Sequence, residues 1–328
     1  MSVVQKKITI ADIAKELGVS KTTVSRSISG KGRIGEKTKQ MVLEYIEKNG
    51  YTPNVVARGL AVSKTYNIAV VMPKDRSLID IPFFHECLNG IVRKAEENFY
   101  DIIICMVQKE DISQLKRIVS NQKVDGVILM RPLEQDPMVE YLRQEKIPFL
   151  VIGKKEGTIQ VDNAHEEACQ ALTSLVIAKG KRRIGLIGAG LEQCVTKQRY
   201  QGYCEALKQW KLPIQKELVC LGAVNDKDIE RFTRKLLQLN VDCIIGMDDY
   251  FCRIICQYIK KEQPDKEEHI MIASFYDHEF PGEDAPYSLS IHCNVEEIGI
   301  TSARTIIELI EEKIVPDRTV LGYEIIAK

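Results

Sequence analysis

The sequence predicts an α/β protein that carries a small helical domain at its front. Three observations point there. From residue 66 onward, short apolar runs alternate with amphipathic stretches, as where "NIAVVMP" (67–73) precedes "PFFHECLNGIVRKAEENF" (82–99). The runs are apolar at nearly every position rather than at every second one, the pattern of strands in parallel sheets covered on both faces. Residues 1–64 lack such runs and hold 12 Lys and Arg against 5 Asp and Glu, whereas the remaining residues hold 34 against 41. A basic head on an acidic body suits a polyanion partner for the head; the plainer alternative is a solvated basic face.

The first helix is expected from Ile10 to Leu17, with Thr9 as its cap and Ile10, Ile13, Ala14 and Leu17 on one face. Gly18 ends it, because glycine takes a left-handed turn cheaply. Val19 fills the corner and Ser20 caps a second helix, Lys21 to Ile28, with Val24 and Ile28 turned inward. Two short helices joined by a glycine turn make a helix-turn-helix. The outer face of the second helix carries Lys21, Thr22, Ser25, Arg26 and Ser29, donors suited to base edges and phosphates in a major groove. A third helix, Glu36 to Asn49, closes a small core with Val42, Leu43 and Ile46. Gly35 offers it no capping side chain.

Strands are then expected at "NIAVVMP", "DIIICMV", "VDGVILM", "IPFLVIGK" and "QVDN", and in a second series at "RRIGLIGAG", "LVCLGAV", "VDCIIGM" and "IMIASF", with helices between them. Ten cysteines lie scattered with no CxxC pair, as reduced thiols do in a cytosolic protein, and Cys252 and Cys256 alone make no metal site. The N-terminus has no apolar stretch of signal-peptide length and no run approaches a membrane span, so a cytoplasmic protein without membrane contact is expected. The Gly188-Ala-Gly190 pair after a strand hints at dinucleotide binding, but Gln193 stands at the third glycine position, and a tight turn is the simpler reading. No GxSxG, Walker loop or HExxH occurs, and the five histidines lie far apart, so no catalytic residues, cofactor or metal are expected.

"TIADIAKELGVSKTTVSRSISG", followed by "GYTPNVVARGL", resembles the lactose-repressor (LacI/GalR) family of bacterial transcription regulators. "IPFLVIGK" resembles its maltose-type members. The resemblance runs the length of the chain and is strongest over residues 8–68. It implies a helix-turn-helix domain at 1–52, a hinge helix at 53–64, and a two-lobed core at 65–328 built like periplasmic sugar-binding proteins. Lobe 1 would take about 65–162 and 294–318, and lobe 2 about 163–293 and 319–328. The chain would cross between lobes three times, returning "EEIGITSARTIIELIEEK" (296–313) to lobe 1. The family implies a homodimer whose heads bind double-stranded, pseudo-palindromic operator DNA, and the end "LGYEIIAK" has no leucine heptads that would pair dimers.

By position, Lys21, Thr22 and Arg26 match the family's base readers. Thr9, Ser20, Thr23, Ser25, Ser29, Thr38 and Asn54 fall where it contacts DNA, although each hydroxyl could equally serve as a cap or surface group. Leu60 falls at the position that wedges into the minor groove; its alternative is to cap the core of the head. "KQRYQGY" matches the effector segment, making Arg199 the leading ligand contact, with an inter-lobe salt bridge as its alternative. Asp248 keeps an acid of the family's site beside Met247. Tyr276 replaces an acid beside Asp277, and Cys293 takes the place of a polar contact. Phe83 and Phe84 match an aromatic wall, or else core or dimer contacts, and Lys154 follows the "IPFLVIG" strand. The expected function is a ligand-responsive regulator, a repressor of carbohydrate genes with a sugar effector. A purine, an amino-acid-like molecule or a partner phosphoprotein are its alternatives as effector. A sugar-transport or chemoreceptor protein and a sugar- or nucleotide-metabolising enzyme are the competing classes.

Overall fold

The computed structural model describes residues 8–29, 34–49, 64–74, 82–108, 111–277 and 287–327, the side chain of Ser29 excepted. The chain divides into two units, Met1–Lys64 and Thr65–Lys328. The expected hinge helix, with Asn54 and Leu60, lies outside the described residues.

In the first unit, helix α1 is Ile10–Glu16, α2 is Lys21–Ser29 and α3 is Glu36–Lys48. Thr9 and Asp12 form a reciprocal capping box: the Asp12 amide donates to Thr9 Oγ1 at 3.3 Å and the Thr9 amide to Asp12 Oδ2 at 2.9 Å. Gly18 has φ +64°, the left-handed turn that separates α1 from α2. The Thr23 amide donates to Ser20 Oγ at 3.0 Å, capping α2. Gly35 leaves α3 without a side-chain cap. Ile13, Ala14, Val24 and Val42 are the buried centre of this unit. Leu43, expected there, is exposed; Ile46 packs against the centre as expected, and Tyr45 joins it. Residues three and four beyond Val42 share its helix face, whereas the next residue is turned about 100° away.

The second unit contains two six-stranded sheets. The first uses β1 (Asn67–Pro73), β2 (Asp101–Val107), β3 (Gly126–Leu129), β4 (Phe149–Ile152), β5 (Ile159–Asp162) and β11 (Arg318–Val320), in the order β2-β1-β3-β4-β5-β11. The second uses β6 (Ile184–Gly188), β7 (Val219–Leu221), β8 (Cys243–Gly246), β9 (Met271–Ser274), β10 (Leu289–His292) and β12 (Glu324–Ala327), in the order β7-β6-β8-β9-β10-β12. All pairings are parallel except β10 with β12. The central strands are buried along both faces, which explains their unbroken apolar sequence. The helices between strands are α4 (Pro82–Glu97), α5 (Ser113–Ser120) and α6 (Pro137–Glu145) in lobe 1, then α7 (His165–Ala178), α8 (Cys194–Gln209), α9 (Asp226–Gln238) and α10 (Asp249–Glu262) in lobe 2.

The chain passes between lobes at 163–164, 293–294 and 321–323. The last passage falls beyond the expected 318/319 division, because Thr319 and Val320 still pair with Val161 and Asp162. Helix α11 (Val295–Ile310) lies on lobe 1 against α4. Their backbones nearly touch: a methyl group on Gly90 would overlap the Glu296 carbonyl, and one on Gly299 the Cys87 carbonyl. In lobe 2, Gly202 of α8 gives the same close approach to Glu166 of α7. All ten cysteines are free and eight are buried.

Candidate functional site

Helix α2 exposes Lys21, Thr22, Ser25 and Arg26 on one side while Val24 and Ser27 are buried on the other. The Ser27 hydroxyl is spent inward on the Thr23 carbonyl at 2.9 Å. The hydroxyls of Ser20 and Thr23 lie 2.9 Å apart in the cap, and Thr9 is committed to its capping box. These three therefore have structural work whatever else they touch. Thr38 is half-buried in the first turn of α3. The exposed face is thus narrow, polar and basic, and of a size to enter a major groove.

The second site is a cavity between the lobes of about 830 Å³, part of it open to solvent. Its walls come from loops at the C-terminal ends of strands in both sheets, where ligands of open α/β sheets collect. Lobe 1 gives Phe83, Phe84, Met130, Arg131, Pro132, Ile152 and Gly153. Lobe 2 gives His165, Ala189, Gln193, Val195, Thr196, Arg199, Met247, Asp248, Phe251 and Tyr276. Five of the eight residues expected at the ligand thus meet in one cavity: Phe83, Phe84, Arg199, Asp248 and Tyr276.

Arg199 on α8 donates through Nη1 to the Met247 carbonyl. Its Nε and the Tyr276 hydroxyl are buried with no hydrogen-bond partner among the described residues. Two unspent polar groups in a largely apolar cavity are the kind of feature a polar ligand resolves. Asp248 caps α10, its Oδ1 accepting from the Phe251 amide at 3.1 Å. Burial pushes its carboxyl above the ordinary range, while the charges of Arg199 and Arg131 and the amide bonds pull the other way. Phe83 meets Phe84 and Tyr276 edge to face, with ring centroids 5.6 and 6.0 Å apart, so an aromatic contact spans the lobes.

Three expected residues stand elsewhere. Lys154 follows Gly153 out of the cavity and pairs with Glu166 at 3.5 Å. Asp277 is buried within lobe 2, accepting from the Tyr287 hydroxyl and from Ser290 Oγ at 2.9 Å. Cys293 is buried and absent from the cavity wall; burial raises its thiol, which a hydrogen bond with Asn163 and the Arg199 charge partly offset.

The sequence reading missed His165. Burial, reinforced by the Arg199 charge and opposed by Asp162, lowers its imidazole to about 4, so it faces the cavity neutral, able to donate and accept. Its position just past the passage from β5 into lobe 2 was the available signal. Phe251, one turn into α10, was also missed. Gly188, of the GxG pair, makes room for Met247: a methyl group there would overlap the Met247 sulfur. Gly188 thus serves packing against Met247. Among the described residues no group of three or more His, Cys, Asp or Glu could hold a metal, and no helix is long and apolar enough to cross a membrane.

Comparison with known proteins adds a family to this geometry. Residues 9–54 match the model of bacterial regulatory proteins of the lacI family. Residues 65–321 match that of periplasmic binding proteins and the sugar-binding domain of the LacI family. The chain is 33% identical to the HTH-type transcriptional regulator MalR of Streptococcus pneumoniae, across 98% of this chain and 99% of that one. Its fold resembles the lac repressor dimer bound to operator and an anti-inducer, with TM-score 0.79 at 20% identity over 98% of both chains. It also resembles a probable maltose operon transcriptional repressor from Staphylococcus aureus, with TM-score 0.73 at 22% identity over 81% of this chain and 97% of that one. With an exposed basic face on α2, a two-lobed core and a cavity between the lobes, the chain belongs to the lacI family of bacterial transcriptional regulators.

Proposed function

We propose that this transcriptional regulator represses genes of carbohydrate use, and that a small sugar in the inter-lobe cavity sets its hold on DNA. In this reading the protein is a cytoplasmic homodimer, and each α2 enters one half-site of a pseudo-palindromic operator. Lys21, Thr22 and Arg26 read base edges, with Ser25 and neighbouring hydroxyls on phosphates. The observation that carries the effector reading is the cavity itself. Aromatic rings suit the apolar faces of a pyranose, while Arg199, Asp248, His165 and Tyr276 offer hydrogen bonds to its hydroxyls. Similarity to MalR over the full length, and to a maltose operon repressor in fold, favours maltose as the sugar to test first.

The test is fluorescence anisotropy of the full chain on labelled promoter fragments of maltose-use genes, titrated with maltose and, as controls, cellobiose and adenine. Binding should weaken steeply with salt, and maltose should change operator affinity by about 5- to 150-fold. A response to adenine alone would overturn the sugar reading. Arg26→Ala should cost about 1–3 kcal/mol at one base position per half-site. Equal weakening on every DNA sequence would instead assign Arg26 to phosphate.

A further inference from the structure

The lobes are joined by three passages of the chain, and the structure adds a fourth joint made of no covalent bond. After β3 the loop 130–136, which leads to α6 of the same lobe, meets the lobe 2 segment between β6 and α8. Leu133 and Gln193 pair as an isolated antiparallel bridge. The Glu134 amide donates to the Glu192 carbonyl at 2.8 Å, and the Cys194 amide to the Pro132 carbonyl at 3.3 Å. Around this backbone contact sits a charge cluster. Lys197 Nζ reaches Glu134 Oε2 at 2.5 Å, and Lys155 Nζ reaches the Glu134 carbonyl at 2.5 Å.

Each side of the joint is firmly seated on its own lobe. Asp136, 3% exposed, accepts from the amides of Leu133 and Met138 at 2.9 Å each, locking the loop onto the start of α6. Helix α8 is held against α7 at Gly202. Opening the lobes therefore cannot stretch either segment and must break the bonds between them. Pro132 and Gln193, partners in these bonds, also line the cavity.

We propose that this joint is a clasp across the mouth of the cleft, that it sets the balance between open and closed lobes, and that Glu134 and Lys197 are positioning residues which hold it shut. The proposal rests on the cavity being the effector site, and it adds a regulator of access to that site. Burial raises the Glu134 carboxyl, but the bonds from Lys197 and Cys194 and the charges of Lys197 and Lys155 outweigh it and hold the group ionised. The side chains of Lys197 and Glu134 are 47% and 38% exposed, so the pair's strength is modest and falls with salt.

The experiment is hydrogen–deuterium exchange on the full chain, without DNA or sugar, read at the amides of Glu134 and Cys194. In the unaltered protein both amides should exchange far more slowly than a free peptide. Glu134→Gln and Lys197→Met should each speed exchange there by about threefold, the double variant no more than either single one, with amides of α4 and α11 unchanged. Raising salt should mimic the single changes. Free-peptide exchange at these amides in the unaltered protein would overturn the clasp. Additive effects of the two changes, or faster exchange spread across the central strands, would overturn the role of the pair. Because the measurement contains no ligand, a clasp found intact beside a cavity that binds no sugar would leave the effector reading alone at fault.

Discussion

The two lobes share one strand order, β2-β1-β3-β4-β5 in the first matching β7-β6-β8-β9-β10 in the second, yet most of the polar groups in the space between them come from lobe 2. Lobe 1 lines the cavity with two phenylalanines, Met130, Pro132, Ile152 and Gly153, and with Arg131 as its sole charged lining residue among those described. Lobe 2 also supplies apolar residues, Ala189, Val195, Met247 and Phe251, but adds His165, Gln193, Thr196, Arg199, Asp248 and Tyr276, nearly all of the polar groups. A repeated topology fixes where loops gather, and the loop residues alone decide what the gathering does. The division suggests an order of events: a ligand is oriented by the polar lobe, and the apolar lobe then covers it and removes water.

That contrast can be broken most visibly with pH, since lobe 2 buries two groups that titrate in opposite senses. Burial, aided by the neighbouring Asp248, raises Asp249 to about 7. The folded chain then holds a proton that the unfolded chain releases above about 4, so this group's contribution is lost as pH rises through 7. Burial and Arg199 lower His165 to about 4, so the unfolded chain binds a proton below about 6.5 that the folded chain refuses, and stability is lost as pH falls toward 4. Between pH 4 and 6.5 the two slopes oppose each other. Asp249→Asn should uncover a stability that climbs with pH by up to about 3 kcal/mol, and His165→Gln one that falls by up to about 4 kcal/mol toward pH 7. Urea unfolding from pH 4 to 8 checks both, and parallel curves for the two variants would refute the assignment.

A smaller effect is expected at Arg199. Arg199→Ala should weaken sugar binding by about 1.5–3 kcal/mol in calorimetry while operator affinity without sugar stays within about twofold, since a hydrogen bond to a charged group is lost. Unchanged sugar affinity would remove Arg199 from the site. On the apolar side, Phe83→Leu keeps most of the buried area and loses the edge-to-face contacts, so about 0.5–1.5 kcal/mol of sugar affinity should go. If Phe83→Leu cost more than Arg199→Ala, the assignment of orientation to lobe 2 and cover to lobe 1 would be reversed.

The sequence carried the three described helices of the head, because their signals are local: Thr9 with Asp12, Gly18, and Ser20 with Thr23 all act within four residues. It also carried the strands, whose burial on both faces leaves a continuous apolar mark. The cavity was legible only to within one residue. Tyr276 faces the cavity and Asp277, its neighbour, turns into Tyr287 and Ser290; Gly153 lines the wall and Lys154 leaves it. At a strand end successive side chains point to opposite sides, so a match that is right in register by segment can still assign the wrong neighbour. His165, Arg131 and Phe251 were missed for another reason. Each reaches the cavity through a turn or a first helical turn that carries no periodic signal.

The near contact of α4 and α11 at Gly90 and Gly299 has a consequence for how the molecule is made. Lobe 1 begins with residues that leave the ribosome early, but α11 and β11, which cover and extend its sheet, lie at Val295–Ile310 and Arg318–Val320. At roughly 5–20 residues per second, α4 waits on the order of 10–40 s for the helix that fits against it. Lobe 2 is assembled from one unbroken stretch, β6 to β10, and lacks only β12. The half of the protein translated first therefore waits for a helix and a strand from the chain's end, with the apolar face around Gly90 uncovered in the meantime. That interval, rather than any property of the finished fold, is where a nascent chain of this design is most open to capture by chaperones or by its own kind.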